Sequence, residues 1–369
     1  MKVLGFDYAA IKESSVTGRY VTNKEVLPFL ATISSEFDVE EIGKSVLNKE
    51  IKSITLGTGK KKLLLWSQMH GNESTTTKAV LDLVNFLSQP SELSKLILKN
   101  CTIKIIPILN PDGAESYTRA NANKVDLNRD AQNKSEIESK VLRNCYDSFQ
   151  PDYCFNLHDQ RTIFNVDDTD KPATLAFLAP SHDEERSISK TREVSMQIIA
   201  AMDMELQKVL PNQIARFDDG FNSNCIGDTF QMLNTPTILF EAGHYKEDYS
   251  REKTREFMFY AILKGIEVIA KDSIQQYSKT AYFSIPENNK LFFDVLIKNV
   301  NTLNKKYEEG ESVGVLYKEV IEGGTIVFVP KIERKGKLEG YFGHKTFDCN
   351  KKDEFKSLKK VNLVLELLE

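Results

Sequence analysis

Cysteine is scarce in this chain, and what there is follows no pattern. The five cysteines (Cys101, Cys145, Cys154, Cys225 and Cys349) are odd in number, and no two stand at CxxC spacing. That excludes a disulfide framework or a thiolate metal knuckle and leaves reduced thiols as the simplest state. Long apolar runs are missing as well. No stretch of about 18 uninterrupted apolar residues occurs, so no membrane span is expected. Past Lys2 the run Val3-Leu4-Gly5-Phe6 stops at Asp7, too short for a secretory leader, so a cytoplasmic location is expected. Nor is there a surplus of positive charge. Lys and Arg number 49 against 53 Asp and Glu, for a net charge of −4. A phosphate-binding surface needs a basic patch, so no nucleic-acid partner is expected. Internal repeats and low-complexity segments are absent.

The remaining composition is that of a globular protein, with 41% hydrophobic and 28% charged residues in 369. That length suits one large domain and a small one. Residues 10–45 are mostly polar without a clear period, and a short helix is expected near 39–43. Residues 51–57 and 62–67 read as strands from their β-branched and apolar content. A helix is expected over 74–88, with Val80, Leu83, Val84 and Leu87 at helical spacing and Pro90 past its end. Residues 102–109 form an apolar strand that stops at the turn signal Asn110-Pro111-Asp112-Gly113. Helices over 135–149, 184–210 and 250–270 alternate with strands over 152–157, 175–179 and 237–240. Such alternation implies an α/β fold: a mixed, mostly parallel twisted sheet with helices on both faces. Near residue 275 the pattern changes to short alternating strands (291–297, 312–317, 325–329). We read 1–275 as one domain and 276–369 as a small β-rich domain without a chemical signature.

The chemistry lies where polar residues interrupt apolar strands. Met69-His70-Gly71-Asn72-Glu73 follows one strand, Asn156-Leu157-His158-Asp159 ends another, and Phe240-Glu241-Ala242-Gly243 ends a third. Ligand sites of open α/β sheets lie outside the carboxyl ends of strands. Three such ends bring two imidazoles and two carboxylates to one edge. Catalytic zinc takes three N or O ligands and keeps a fourth position for water. His70, Glu73 and His158 can supply the three, leaving Glu241 as an acid or base. The HxxE spacing is weak evidence alone. Two of only five histidines standing directly after apolar strands is stronger. Of the others, His182 sits in a charged loop, His344 reads as structural, and His244 lies three residues past Glu241.

Taken together, His70-Gly71-Asn72-Glu73, Asn110-Pro111-Asp112-Gly113, Arg119-Ala120-Asn121, Asp126-Leu127-Asn128-Arg129, Asn156-Leu157-His158 and Phe240-Glu241 resemble the zinc metallocarboxypeptidase family, the funnelins, over roughly residues 39–270. The resemblance implies one zinc ion held by His70, Glu73 and His158. It makes Asp126 the carboxylate behind His70, Arg119 the oxyanion partner, Asn128 and Arg129 the clamp for a terminal carboxylate, and Glu241 the general base. The pocket floor that sets side-chain preference falls near 226–228. The family often swings a tyrosine over its substrate, but the matching stretch 219–225 has none, and Phe221 is its nearest aromatic. The implied activity is removal of C-terminal residues from peptides, without nucleic-acid or membrane partners. A related branch deacylates N-acyl amino acids and shares His-Gly-Asn-Glu, the Asn-Arg pair and a C-terminal β domain. That activity, or hydrolysis of γ-glutamyl murein peptides, stands as the alternative.

Overall fold

The structure is a computed structural model that describes residues 5, 7–361, 364, 367 and 368. In chain order the strands of its first half are β1 (Asp38–Lys44), β2 (Glu50–Leu56), β3 (Lys61–Ser67), β4 (Cys101–Ile106), β5 (Tyr153–Asp159), β6 (Asn165–Val166), β7 (Leu175–Leu178), β8 (Ile214–Arg216) and β9 (Thr237–Ala242). All but β6 join one sheet in the order β1-β2-β4-β3-β5-β9-β7-β8. The pairs β3–β4, β3–β5, β5–β9 and β7–β8 are parallel. The pairs β1–β2, β2–β4 and β7–β9 are antiparallel. The helices are α1 (Asn23–Ile33), α2 (Thr75–Ser88), α3 (Glu92–Asn100), α4 (Pro111–Ser116), α5 (Ile137–Phe149), α6 (Lys190–Leu206), α7 (Ile226–Met232), α8 (Glu252–Ala270), α9 (Lys279–Phe283) and α10 (Lys352–Leu358).

Strand β3 shows why the apolar runs are continuous. Leu63 and Leu65 point into a core shared with α2, α6 and α8. Leu64 and Trp66 point the other way, into a core shared with α5 and α7. A strand covered on both faces has no polar side to alternate with. This is the mixed α/β sheet that the alternating pattern implied. The carboxyl ends of β3, β5 and β9 therefore meet at one edge between two helical layers.

Two local expectations fail. Residues 39–43 are not helical but lie in the edge strand β1, whose backbone groups pair with β2. Glu40 and Glu41 lie exposed there, and charge is tolerated on a sheet edge. Conversely, residues 23–33 form α1. Thr22 caps it, accepting from Lys24 N at 3.2 Å, while the Glu25 carboxylate accepts from Thr22 N at 2.9 Å. Val26, Phe29, Leu30 and Ile33 are its buried stripe, and Pro28 within it masks the signal. The helix expected over 184–210 is shorter, starting after Ser189, whose side chain caps it.

The second sheet, in the order β13-β12-β11-β14, uses β11 (Phe292–Lys298), β12 (Ser312–Glu322), β13 (Thr325–Gly336) and β14 (Phe342–Asp348). It is tied to the first half by β10 (Asn288–Asn289), which pairs with β6, and by side chains. Arg19 Nη1 and Nη2 donate to the two Glu319 oxygens at 3.2 Å each, and the Tyr117 hydroxyl donates to the same carboxylate. Asp294 accepts from the Tyr249 hydroxyl at 2.9 Å. His344 Nε2 donates to the Thr162 carbonyl at 2.7 Å, and its ring lies 4.1 Å from that of His244.

Both histidines at this junction are held neutral. Burial, then the neighbouring His344 and Arg251, pushes the His244 pKa far down. Burial pulls His344 down to about 4 despite its bond to Thr162. An unfolded histidine titrates near 6.5. Below that pH the unfolded chain binds protons that the native chain refuses, so stability is complete above pH ~6.5 and falls toward pH ~4. Each such group contributes at most ~1.4 kcal/mol per pH unit. The urea midpoint is expected to drop between pH 7 and 5, and to drop less steeply in His344→Gln. Equal slopes for the two proteins would show that the junction histidines do not set the acid limb.

Candidate metal centre and active site

The loop after β3 is set by backbone contacts before any ligand matters. Gln68 adopts a left-handed φ of 50°. Its amide donates to the carbonyls of Val21 at 2.7 Å and Gly71 at 2.8 Å. A Cβ on residue 71 would lie 1.9 Å from the Gly113 carbonyl carbon, so only glycine permits the crossing. Asn110 locks it: its amide donates to the Met69 carbonyl at 3.1 Å and its oxygen accepts from Gly113 N at 2.8 Å. The Asn-Pro-Asp-Gly segment is thus the N-cap and first turn of α4, packed beneath His70.

His70 and His158 are each 2% exposed. Glu73 bridges them, with Oε1 2.9 Å from His70 Nδ1 and Oε2 2.9 Å from His158 Nδ1. The two Nδ1 atoms are 3.1 Å apart, and one donor atom from each of the three residues lies within 4.8 Å of the others. Among the described residues this is the one such group. Two ring nitrogens facing each other and one carboxylate can share few protons. A cation coordinated by all three satisfies them together, and two imidazoles with a carboxylate form a donor set that zinc takes. The residues present therefore fit the metal that the motifs implied.

Asp126 organises the surroundings. Its Oδ1 accepts from His70 Nε2 at 3.1 Å and from Asn128 N at 2.9 Å, and its Oδ2 accepts from Arg119 Nε at 2.9 Å. The bond to Nε2 assigns the tautomer that leaves His70 Nδ1 as a ligand. Arg119 Nη1 then reaches 3.1 Å from His70 Nδ1 and 3.3 Å from Glu73. Asn121 holds this loop by donating to Glu136 at 2.7 Å and Glu138 at 3.0 Å.

A cavity of about 300 Å³ joins these groups. His70, His158, Arg119, Asn128, Arg129 and Glu241 all line it. The structure thus brings together every site residue singled out from the sequence, with Glu73 and Asp126 directly behind. Glu241 stands beside His158 in the β5–β9 register. Among the described residues its carboxylate has no hydrogen-bond or ion-pair partner. Burial, then the charges of Glu73 and Asp159, pushes its carboxyl well above the ordinary range. A dication on the neighbouring ligands acts in the opposite sense.

Other cavity residues escaped the sequence reading. Asn156, Leu178, Phe217 and Leu239 line it, as do Gly227 and Asp228. Ile226 instead enters the core beside α5. Phe221 does not line the cavity; Phe217 is its aromatic. Strand position was the available signal, because Asn156 and Leu239 each lie two residues before His158 and Glu241 and share their face of the sheet. Burial pushes the Asp228 carboxyl up to about 7. His244 lines neither this cavity nor the metal group.

Comparisons with known proteins bear on this arrangement. Residues 27–156 match the family model of zinc carboxypeptidases. Carboxypeptidase SOL1 of Arabidopsis thaliana is 40% identical over 65 residues, covering 17% of this chain and 13% of that protein. Carboxypeptidase 2 of Trichophyton rubrum is 27% identical over 101 residues, 27% and 19% of the two chains. The chain thus spans only a small part of the length of these relatives. A metallo-carboxypeptidase from Burkholderia cenocepacia shares the fold with a TM-score of 0.55 at 18% identity, over 69% of this chain and 70% of that one. Bovine thrombin-activatable fibrinolysis inhibitor, solved with tick carboxypeptidase inhibitor, gives 0.53 at 15%, over 70% and 98%. Sheet and His-Glu-His group define an α/β fold with a donor set that fits a metal at its carboxyl edge. The matched segment is similar to the zinc carboxypeptidases, and the fold is that of metallo-carboxypeptidases.

Partners behind a metal-binding histidine typically contribute 10–100-fold in affinity. Asp126→Asn is expected to weaken zinc binding by about that factor, read by competition with a chromogenic chelator. Unchanged affinity would remove Asp126 from this role.

Proposed function

We propose that this protein is a zinc-dependent metallocarboxypeptidase that removes the C-terminal residue of a substrate with a free carboxylate. The observation that carries this reading is one cavity lined by His70, His158, Glu241, Arg119, Asn128 and Arg129. His70, Glu73 and His158 would hold the ion. Zinc, when bound there, supplies Lewis-acid activation of water and of a carbonyl.

The chain's own groups supply the rest. Glu241 is unpartnered and next to the ligand group. It takes the proton of the attacking water and returns it to the departing amine. Arg119 is held by Asp126 through Nε, which fixes its guanidinium beside the ligands, where it stabilises the oxyanion. Arg129 commits Nη1 to the Asn128 carbonyl at 2.7 Å and to Cys225 Sγ at 3.0 Å. Its Nε and Nη2 have no partner among the described residues and present a fork to a terminal carboxylate. Asn128 uses its oxygen to accept from Ile226 N at 3.0 Å, which leaves its amide for the same carboxylate. The five cysteines are free, and no described helix is long and apolar enough to cross a membrane. A cytoplasmic location accords with the reduced thiols.

Glu241→Gln is expected to keep zinc, measured by metal content, and to lose several orders of magnitude in kcat. Near-wild-type turnover would refute its role as base. A charge-assisted hydrogen bond contributes about 1.5–3 kcal/mol. Free-acid peptides should therefore exceed their C-terminal amides by roughly 10–100-fold in kcat/KM, and Arg129→Ala should shrink that ratio. Release of amino acids from N-acyl compounds alone, with peptides untouched, would move the protein to the deacylase reading.

A further inference from the structure

A second cavity, of about 280 Å³, meets the same ligand group from Glu73. The carboxylate clamp lies on the other cavity, with His70 and His158. Glu73 separates the two, since its oxygens touch both imidazoles while the residue lines the second cavity. A substrate whose terminal carboxylate sits at Arg129 and whose scissile bond sits at the ligand group must place its upstream part here.

Two features restrict what that part can be. The first is the wall. Leu316, Tyr317 and Glu319 of β12 and Phe328 of β13 close the cavity from the second domain. The wall is fixed in place. Tyr249 packs its ring 5.3 Å from Tyr317 and 5.2 Å from Phe328, and Glu319 is bound to Arg19 and Tyr117. At about 280 Å³ the cavity is smaller than the roughly 300–1,000 Å³ of typical ligand sites. The upstream part of a substrate would therefore lie against the second sheet.

The second feature is charge. Arg251 lines the cavity and is 1% exposed. Nη1 and Nη2 donate to the carbonyls of Ala242 and Gln160, while Nε is buried without a partner. No carboxylate forms an ion pair with it among the described residues. Of the acids that line the cavity, Asp294 and Glu319 are engaged by other groups, while Asp159 Oδ1 is buried without a hydrogen-bond partner and its charge partly offsets that of Arg251. Asp159 accepts from Thr75 N at 3.0 Å and its hydroxyl at 2.6 Å. Asp294 accepts from Tyr249 and, at 2.8 Å, from Tyr317 N. Glu319 is held by Arg19. Asp159 and Glu319 offset the Arg251 charge only from a distance, and a buried guanidinium with no carboxylate in contact is costly unless a ligand supplies one. Arg251 also sits at a left-handed φ of 58°, strained for a side chain of its kind. Arg19 Nε is a second buried, unpartnered donor on the same cavity.

We infer that the second domain makes this an enzyme for short substrates, in which one compact anionic acyl or aminoacyl group, held by Arg251, stands upstream of the bond that is cut. The inference rests on the carboxypeptidase reading for the direction of the chain. The experiment separates the two. N-acetyl, N-succinyl, N-succinamoyl and tetra-alanyl derivatives of a mixture of the twenty amino acids would be compared. The zinc-loaded protein gives kcat/KM by mass spectrometry, and zinc-loaded Glu241→Gln gives Kd by calorimetry. Succinyl compounds should exceed acetyl ones at least tenfold in both readouts, and the uncharged succinamoyl compounds should lose that advantage. Tetra-alanyl compounds should fall at least tenfold below acetyl ones, and Phe328→Ala should narrow that gap. Arg251→Met should erase the succinyl advantage; if that variant does not fold, the succinyl–succinamoyl pair on the wild type still decides the point. Equal kcat/KM for acetyl and tetra-alanyl compounds, or for succinyl and succinamoyl ones, would overturn the inference while leaving the peptidase intact. Selective binding without hydrolysis of any compound would support the pocket and overturn the peptidase. Neither binding nor hydrolysis would refute both.

Discussion

The backbone of Gly71 lies so close to that of Gly113 that a single methyl group on residue 71 would collide with the peptide after Gly113. The rest of the site depends on this contact. It brings the end of β3 against the start of α4, and Asn110 secures the crossing from both sides. With the crossing fixed, His70 has one direction to point, and Glu73, three residues on, follows it to the same edge. The neighbouring strands need no such device. The β3–β5 and β5–β9 registers alone bring His158 beside Glu241 and both beside the His70 loop.

Charge is then distributed by shared acceptors. Asp126 serves His70, Asn128 and Arg119 with two oxygens, so these three residues form one unit. Displacing any one member frees a charged group at a half-buried site, where an unpaired charge costs more than in water. The same economy appears further out. Asp82, fully buried, accepts from Arg255 Nε at 2.7 Å and Nη2 at 2.6 Å, and from the Tyr8 hydroxyl at 2.6 Å. That group ties the N-terminal segment to α2 and α8, behind the sheet edge that carries the ligands.

How much of this could be read from the residues follows from the range of each interaction. The ligand group was legible because each member sits at a strand end, where an apolar run breaks into His or Glu. That break is local and chemically loud. The sheet was legible for the same reason, since β3, β5 and β9 are short apolar runs between helical periods. Strand β1 was misread because an edge strand bears Glu40 and Glu41, which alone favour a helix; the partner that overrides them comes later in the chain. Helix α1 was missed because Pro28 interrupts its stripe. The cavity walls were beyond reach. Phe217, Leu178 and Asp228 carry no signature until three separate segments converge, and nothing in β12 or β13 announces that Tyr317, Glu319 and Phe328 share a cavity with Glu73, more than two hundred residues earlier.

The last point bears on what a fold can say about function. The sheet and its ligand group are common to proteins that process very different substrates, and they fix the bond type rather than the molecule that carries it. Here the discriminating surface comes from outside that sheet. In the proposed function a terminal carboxylate would be met by Arg129, a residue of the matched segment. The group upstream would be met by Arg251, at the N-terminus of α8, and by a wall delivered by β12 and β13. Because Glu319 is anchored to Arg19 and Tyr117, the wall cannot recede without breaking a partly buried ion pair and leaving the buried Arg19 charge unpaired, which is costly. On that inference, selectivity for length would be tied to the stability of the junction between the two sheets, and a chain with the same ligands but no second sheet would lack it.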